Sequence, residues 1–166
     1  MICKYKIAPF DKMTWIVTIS VLVLLGFVTY TVIPLDNIID TTTVFILLSI
    51  WLPILIVYAF SPRGYTVSEQ GITIHRVIGS INIPKTDINS IDVVKRIYPG
   101  IRLAASGGLF GYFGVFTLKS GGSAKVYVTR WNCVVLVKTN DETFIISPSE
   151  PEDFCKVLET AFNFCI

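Results

Sequence analysis

The chain has 166 residues, of which 52% are apolar and 16% charged, with 14 Lys and Arg against 12 Asp and Glu. A net charge of +2 is too small to support nucleic-acid binding, which needs a strongly basic surface. The apolar excess is not spread evenly: it is concentrated in the first sixty residues, and the remaining 106 suffice for one small domain with its own core.

Residues 13–33, MTWIVTISVLVLLGFVTYTVI, carry no charged side chain, and neither do residues 41–60, TTTVFILLSIWLPILIVYAF. At 1.5 Å per residue, about twenty residues of helix span ~30 Å, the thickness of a bilayer's hydrocarbon core. Both runs are therefore expected to cross a membrane as helices. The first is longer than the apolar core of a signal peptide, and Val32-Ile33-Pro34-Leu35 offers no small-residue cleavage pattern. Pro53 inside the second run predicts a bend near Leu52, of a kind that membrane helices tolerate. Trp15 and Tyr58 lie near the run ends, where aromatic side chains mark the water interface.

The link between the runs is short, which predicts an antiparallel hairpin. It holds Asp36 and Asp40 but no Lys or Arg, whereas Lys4, Lys6 and Lys12 precede the first run and Arg63 follows the second. By the positive-inside rule both termini lie in the cytoplasm, as in a multi-pass protein of the cell membrane. Neither run contains the ionisable groups that proton relays and ion paths require, so the hairpin reads as an anchor rather than a transporter. The expected division is a cytoplasmic segment 1–12, a two-span hairpin 13–60 and a folded domain 61–166.

After residue 60 the pattern changes to short strands and turns. Ile72-Thr73-Ile74-His75-Arg76 and Ile81-Asn82-Ile83 alternate with the period of half-buried strands. A further strand runs from Ile88 to Ile97 and breaks at Pro99-Gly100. Residues 115–119 and 124–129 flank Ser120-Gly121-Gly122-Ser123, and residues 133–139 and 143–147 flank Asn140-Asp141-Glu142; each arrangement predicts a hairpin. The chain ends in a helix. Ser149 and Glu152 have capping-box spacing, and Phe154, Val157, Leu158, Ala161, Phe162 and Cys165 form one apolar stripe. The fold class is thus α+β: a transmembrane helical hairpin, then an antiparallel barrel or sandwich of about seven strands capped by an amphipathic helix.

His75 is the sole histidine, and its alternation with Ile72 and Ile74 turns it away from the core. No histidine base serves a serine, and no G-x-S-x-G occurs. Cys3, Cys133, Cys155 and Cys165 form no C-x-x-C pair, so they read as plain thiols in a reducing compartment; a Cys133–Cys155 bridge requires the opposite compartment. No catalytic, metal or cofactor site is expected.

The stretch 104–114, AASGGLFGYFG, is distinctive. Gly107, Gly108, Gly111 and Gly114 interleave with Leu109, Phe110, Tyr112 and Phe113, and no Gly-Lys-Ser/Thr follows to make a phosphate loop. Two readings are open. The aromatic residues plug one end of the domain, or they form an exposed patch that touches the bilayer or a protein partner.

Seven antiparallel strands followed by one helix is the pleckstrin-homology arrangement. The stretch YTVSEQGITIHRVIGSINIPKTDINSIDVV resembles the opening of the bacterial PH-domain families. GGLFGYFGVFTLKSGG, KVYVTRWNCVVLVKT and FIISPSEPEDFCKVL resemble a subgroup that carries an N-terminal two-span anchor. The resemblance covers about residues 62–162. It implies a PH-like domain and a non-catalytic role, either scaffolding for a protein partner or a second copy, or sensing of a lipid or small ligand. In eukaryotic PH domains a basic cluster between the first two strands grips inositol phosphates. The corresponding Glu69-Gln70-Gly71 lacks Lys and Arg, so phosphoinositide recognition is not expected.

Overall fold

In a computed structural model of the chain, residues 2–33, 40–118 and 122–162 are described. Asp36 of the expected link, Ser120 and Gly121 of the expected hairpin, and Cys165 of the expected apolar stripe lie outside them. Helix α1 spans Lys12–Val32 and helix α2 spans Thr41–Phe60. Each begins on an aspartate. The Asp11 carboxylate accepts from the Thr14 amide at 2.7 Å, and the Asp40 carboxylate accepts from the Thr43 amide at 2.8 Å. Helix α2 runs through Pro53 as one element. The Trp51 indole N–H donates to the Thr29 hydroxyl at 3.0 Å, which ties the two helices together partway along.

Both helices are long and apolar enough to cross a membrane, and only 6% and 11% of their most apolar windows are buried by the rest of the protein. That exposure separates them from the core helices of a water-soluble fold, whose apolar surface other elements cover. Leu24, Phe27, Phe45, Leu48 and Leu55 point outward from the helices with nothing over them.

The rest of the chain builds two sheets, and not about seven strands but ten among the described residues. The first sheet has the order β1-β2-β3-β4, with β1 Cys3–Lys6, β2 Pro62–Ser68, β3 Gly71–Arg76 and β4 Ser80–Pro84. After a 3-10 turn at Lys85–Asp87 come β5 Ile88–Arg96, β6 Pro99–Gly107, β7 Tyr112–Leu118, β8 Ser123–Val128, β9 Asn132–Thr139 and β10 Thr143–Ile146. These form the second sheet in the order β5-β9-β10-β8-β7-β6. The sheets face each other as a sandwich and do not close into a barrel. Nor is the second sheet wholly antiparallel. Strand β10 pairs in parallel with β8, because β9 crosses to the far side of β10 before the chain turns back.

Tyr65, Val67, Ile72, Ile74 and Ile83 of the first sheet meet Val135, Val137 and Ile146 of the second. Helix α3, Pro151–Phe162, closes this core with Phe154, Cys155 and Leu158, and the Tyr5 ring meets Phe154 edge-on at 4.9 Å. The Ser149 amide does not enter the expected capping box. The helix starts at Pro151, the Glu150 carbonyl accepts from the Phe154 amide at 3.0 Å, and the Ser149 amide reaches instead to the Lys6 carbonyl at 3.0 Å. At the centre, the buried Tyr65 hydroxyl donates to the Tyr127 carbonyl at 2.7 Å and accepts from the Ser147 amide at 3.1 Å. That one group joins the two sheets, and both of its hydrogen-bonding roles are filled. A second cluster, Tyr112, Phe116, Val126, Val128, Val134 and Ile145, lies on the other face of the second sheet, with Trp131 over it.

Residues 2–11 are not merely a basic flank. Strand β1 pairs with β2, with Tyr5 opposite Tyr65. The chain then crosses the end of the second sheet: the Ala8 amide donates to the Ser147 carbonyl at 2.9 Å, and the Thr129 hydroxyl donates to the Ala8 carbonyl at 2.7 Å. The Asp11 amide donates to the Thr129 carbonyl at 3.3 Å immediately before α1 begins. The free thiols include Cys133, exposed, and Cys155, buried, so the expected alternative of a bridge between them is not realised.

Candidate functional site

The Gly-aromatic stretch forms the turn between β6 and β7, and the turn sits where the sandwich meets both long helices. Its shape follows from its glycines. Gly108 and Gly111 hold φ of 111° and 123°, and the Gly108 amide donates to the Gly111 carbonyl at 3.0 Å. Between them Phe110 adopts a left-handed φ of 56°, a conformation that disfavours a large side chain unless its surroundings hold it.

Helix α1 holds the turn. The Thr18 hydroxyl donates to the Gly108 carbonyl at 3.3 Å and accepts from the Phe110 amide at 3.2 Å. Helix α2 holds the ring. Phe110 and Tyr58 meet edge to face at 5.2 Å, and the Arg63 guanidinium lies 4.4 Å from the centre of the same Tyr58 ring. Behind the turn, the Tyr112 hydroxyl donates to the Asp11 carboxylate at 3.2 Å. Asp11 thus both starts α1 and receives β7. Burial, and then the negative charge of Asp11, hold the Tyr112 phenol above its ordinary pKa.

The four aromatic and aliphatic residues of the stretch have different fates. Tyr112 and Phe113 are buried within the protein. Phe110 is half-buried against Tyr58, and Leu109 is half-buried, with its carbonyl accepting from the Ser106 hydroxyl at 3.2 Å. The turn is thus wedged against the helices rather than folded into the core between the sheets. Sequence reasoning missed its partners Asp11 and Thr18. They lie about a hundred residues earlier, and the one available signal was that Thr14 and Thr18 fall four apart on a single helical face.

Beside the wedge a crevice of about 440 Å³ opens between the end of α2 and the sheets. Ile56, Val57 and Phe60 form one wall; Arg76, Phe113 and Tyr127 are among the residues of the other. At one edge of the second sheet, β6 exposes Ile101 by 74% and Leu103 by 61%. His75 is exposed, and its Nε2 lies 2.7 Å from the Thr66 hydroxyl on the neighbouring strand. Of the scattered basic residues, Lys125 pairs with Glu142 at 2.6 Å, and Arg96 lies 5.3 Å from the Tyr98 ring centre. Among the described residues, no group of three His, Cys, Asp or Glu could hold a metal ion.

Among known families, the model described as "Bacterial PH domain" matches residues 63–161. No curated protein matches the chain, and no solved structure does.

Proposed function

Because the chain belongs to the bacterial PH domain family, whose fold serves interaction rather than catalysis, we propose that it is a non-catalytic, membrane-anchored interaction module. Its helices span the cell membrane, both termini face the cytoplasm, and the sandwich is held against the inner leaflet. There it serves as a scaffold for a protein partner or for a second copy of itself.

The observation that carries this reading is the joint at the Gly-aromatic turn. A domain tethered by a flexible linker samples every orientation, whereas this one is bonded to α1 through Thr18 and Asp11 and stacked on α2 through Tyr58. A fixed orientation presents the same face of the sandwich to every partner. The face in question is the β6 edge, a strand paired on one side only that exposes Ile101 and Leu103. Such an edge invites strand addition by another chain.

Two measurements test the reading. A membrane-impermeant maleimide is expected to label Cys133 only after the cells are opened, in a chain whose other cysteines are serine; labelling of intact cells refutes the orientation. A photo-crosslinking side chain at position 101 is expected to give a discrete adduct in native membranes, with none from position 75. Equal adduct patterns from both positions refute the β6 edge. A second reading, in which the domain takes a lipid or small ligand, draws on the crevice at Arg76.

A further inference from the structure

The geometry points to a phospholipid site: the crevice between the end of α2 and the β3–β4 turn takes the phosphate of a leaflet lipid on the Arg76 guanidinium. This rests on α2 being a membrane span.

Arg76 ends β3, and its backbone fixes where its side chain begins. Its amide donates to the Gly79 carbonyl at 3.2 Å, which closes the turn. The Ile78 amide donates to the Ala59 carbonyl at 2.9 Å, which pins that turn to the last residues of α2. The Arg76 guanidinium then lies 5.3 Å from the centre of the Phe60 ring. Phe60 is the final residue of a 20-residue helix, and such a helix rises ~30 Å, one hydrocarbon thickness. A cation at its end is at the depth of the lipid phosphates.

The guanidinium is also incompletely served. Its Nε is buried and has no hydrogen-bond partner, and among the described residues no carboxylate pairs with it. A buried donor left without an acceptor is costly, and phosphate oxygens match the planar guanidinium fork in pairs. The rest of the crevice suits the remainder of a lipid. Ile56 and Val57 continue its wall down the apolar span, toward where acyl chains lie. Ala104, Ala105 and Gly114 are small and keep it open. Tyr127 lines the crevice together with Arg76, whose charge acts on its phenol, and a phenol can donate to a phosphate oxygen. A volume of about 440 Å³ accommodates a glycerophosphate group with the first carbons of its chains. An apolar wall continuous with the bilayer selects a lipid over free phosphate.

Native mass spectrometry of the full chain in mild detergent reads the site directly. After delipidation, short-chain phosphatidylglycerol is expected to bind as one retained adduct. Arg76→Gln is expected to weaken it about tenfold, the scale of a lost charge-assisted hydrogen bond, and Arg76→Lys to fall between. Arg96→Gln, on an exposed arginine elsewhere, is expected to change nothing. Glycerol phosphate and inorganic phosphate are the soluble arms, and diacylglycerol is the phosphate-free one. Equal affinity for inorganic phosphate overturns the lipid as source. Equal affinity for diacylglycerol, or an unchanged adduct in Arg76→Gln, overturns the arginine–phosphate contact. Loss of binding in Arg76→Gln counts only with an unchanged melting midpoint, and Arg76→Lys, which keeps the charge, must then retain more lipid than Arg76→Gln or the site is refuted. Alkaline carbonate extraction of the wild-type chain checks the premise separately. Release from the membrane defeats the spanning reading, whereas retention with lipid binding indifferent to Arg76 defeats the site alone.

Discussion

Replacing Thr18 by valine isolates the joint between helix and sandwich. The two side chains have nearly the same volume, so the substitution exchanges a hydroxyl for a methyl group and leaves the packing in place. The hydroxyl makes two bonds to the β6–β7 turn, donating to the Gly108 carbonyl and accepting from the Phe110 amide. Both backbone groups lose their partner at once, in a place where Thr18 is buried and water does not substitute. At about 1 kcal/mol net per hydrogen bond, with a further penalty for the stranded groups, the joint weakens by about 2–3 kcal/mol. That corresponds to roughly a 30- to 140-fold rise in the fraction of time the turn is detached. Hydrogen exchange of the full chain in nanodiscs measures it: the Phe110 amide is expected to exchange faster by that factor, while amides in β9 keep their protection. Thr31→Val is the control, because its hydroxyl bonds only back to the Val28 carbonyl in its own helix at 2.8 Å. If Phe110 exchanges at the wild-type rate in Thr18→Val, the turn is held by something other than α1 and the fixed-orientation reasoning fails.

Other outcomes follow from neighbouring features. Gly114 holds φ of 118°, and a Cβ there would clash with the Ala104 carbonyl oxygen; Gly114→Ala is expected to destabilise the sandwich by about 3 kcal/mol or more, read as a lowered thermal midpoint. Tyr65→Phe removes the hydroxyl that joins the sheets and strands the Ser147 amide, for an expected loss of about 1–3 kcal/mol by denaturant titration. Burial pushes the Cys155 thiol from 9.0 up to about 11. The folded state therefore holds that proton more tightly than the unfolded chain, so the stability it contributes is complete below pH 9 and is lost as pH rises toward 11. The thermal midpoint of the wild type is expected to fall across that window, and the fall to be shallower in Cys155→Ala; an identical slope in both removes Cys155 as the cause.

The features that sequence made legible were those written in local pattern. Two uncharged runs of spanning length became α1 and α2, the stripe through Phe154 and Leu158 became the inner face of α3, and Asn140-Asp141-Glu142 became a hairpin turn. What stayed hidden was written in contacts between distant segments. Strand β1 alternates, with Tyr5 turned inward between two outward lysines, but four residues are too short for that period to stand out, and the lysines read more loudly as a topology signal. Strand β6 runs through two glycines and adjacent alanines and exposes most of one stretch, so it carries no inside-outside rhythm at all. The parallel pairing of β8 with β10 depends on where β9 goes, which no window of residues records.

The threonines of α1 connect these two kinds of information. Within a run long and apolar enough to cross a membrane, Thr14 and Thr18 are the buried residues of the helix, while Trp15, Ile16 and Ile19 around them are exposed. Polar groups facing hydrocarbon carry a cost, so their place on one face marks the side that meets protein. That face is the one on which the Gly-aromatic turn rests. The hairpin is therefore more than a tether: it supplies the surface against which the β6–β7 turn takes its shape. The left-handed Phe110, unfavourable in isolation, is held by the helices on which it sits. Fold and anchor are consequently coupled, and a change that shifts α1 against α2 must also move the turn, Arg76's crevice and the β6 edge together.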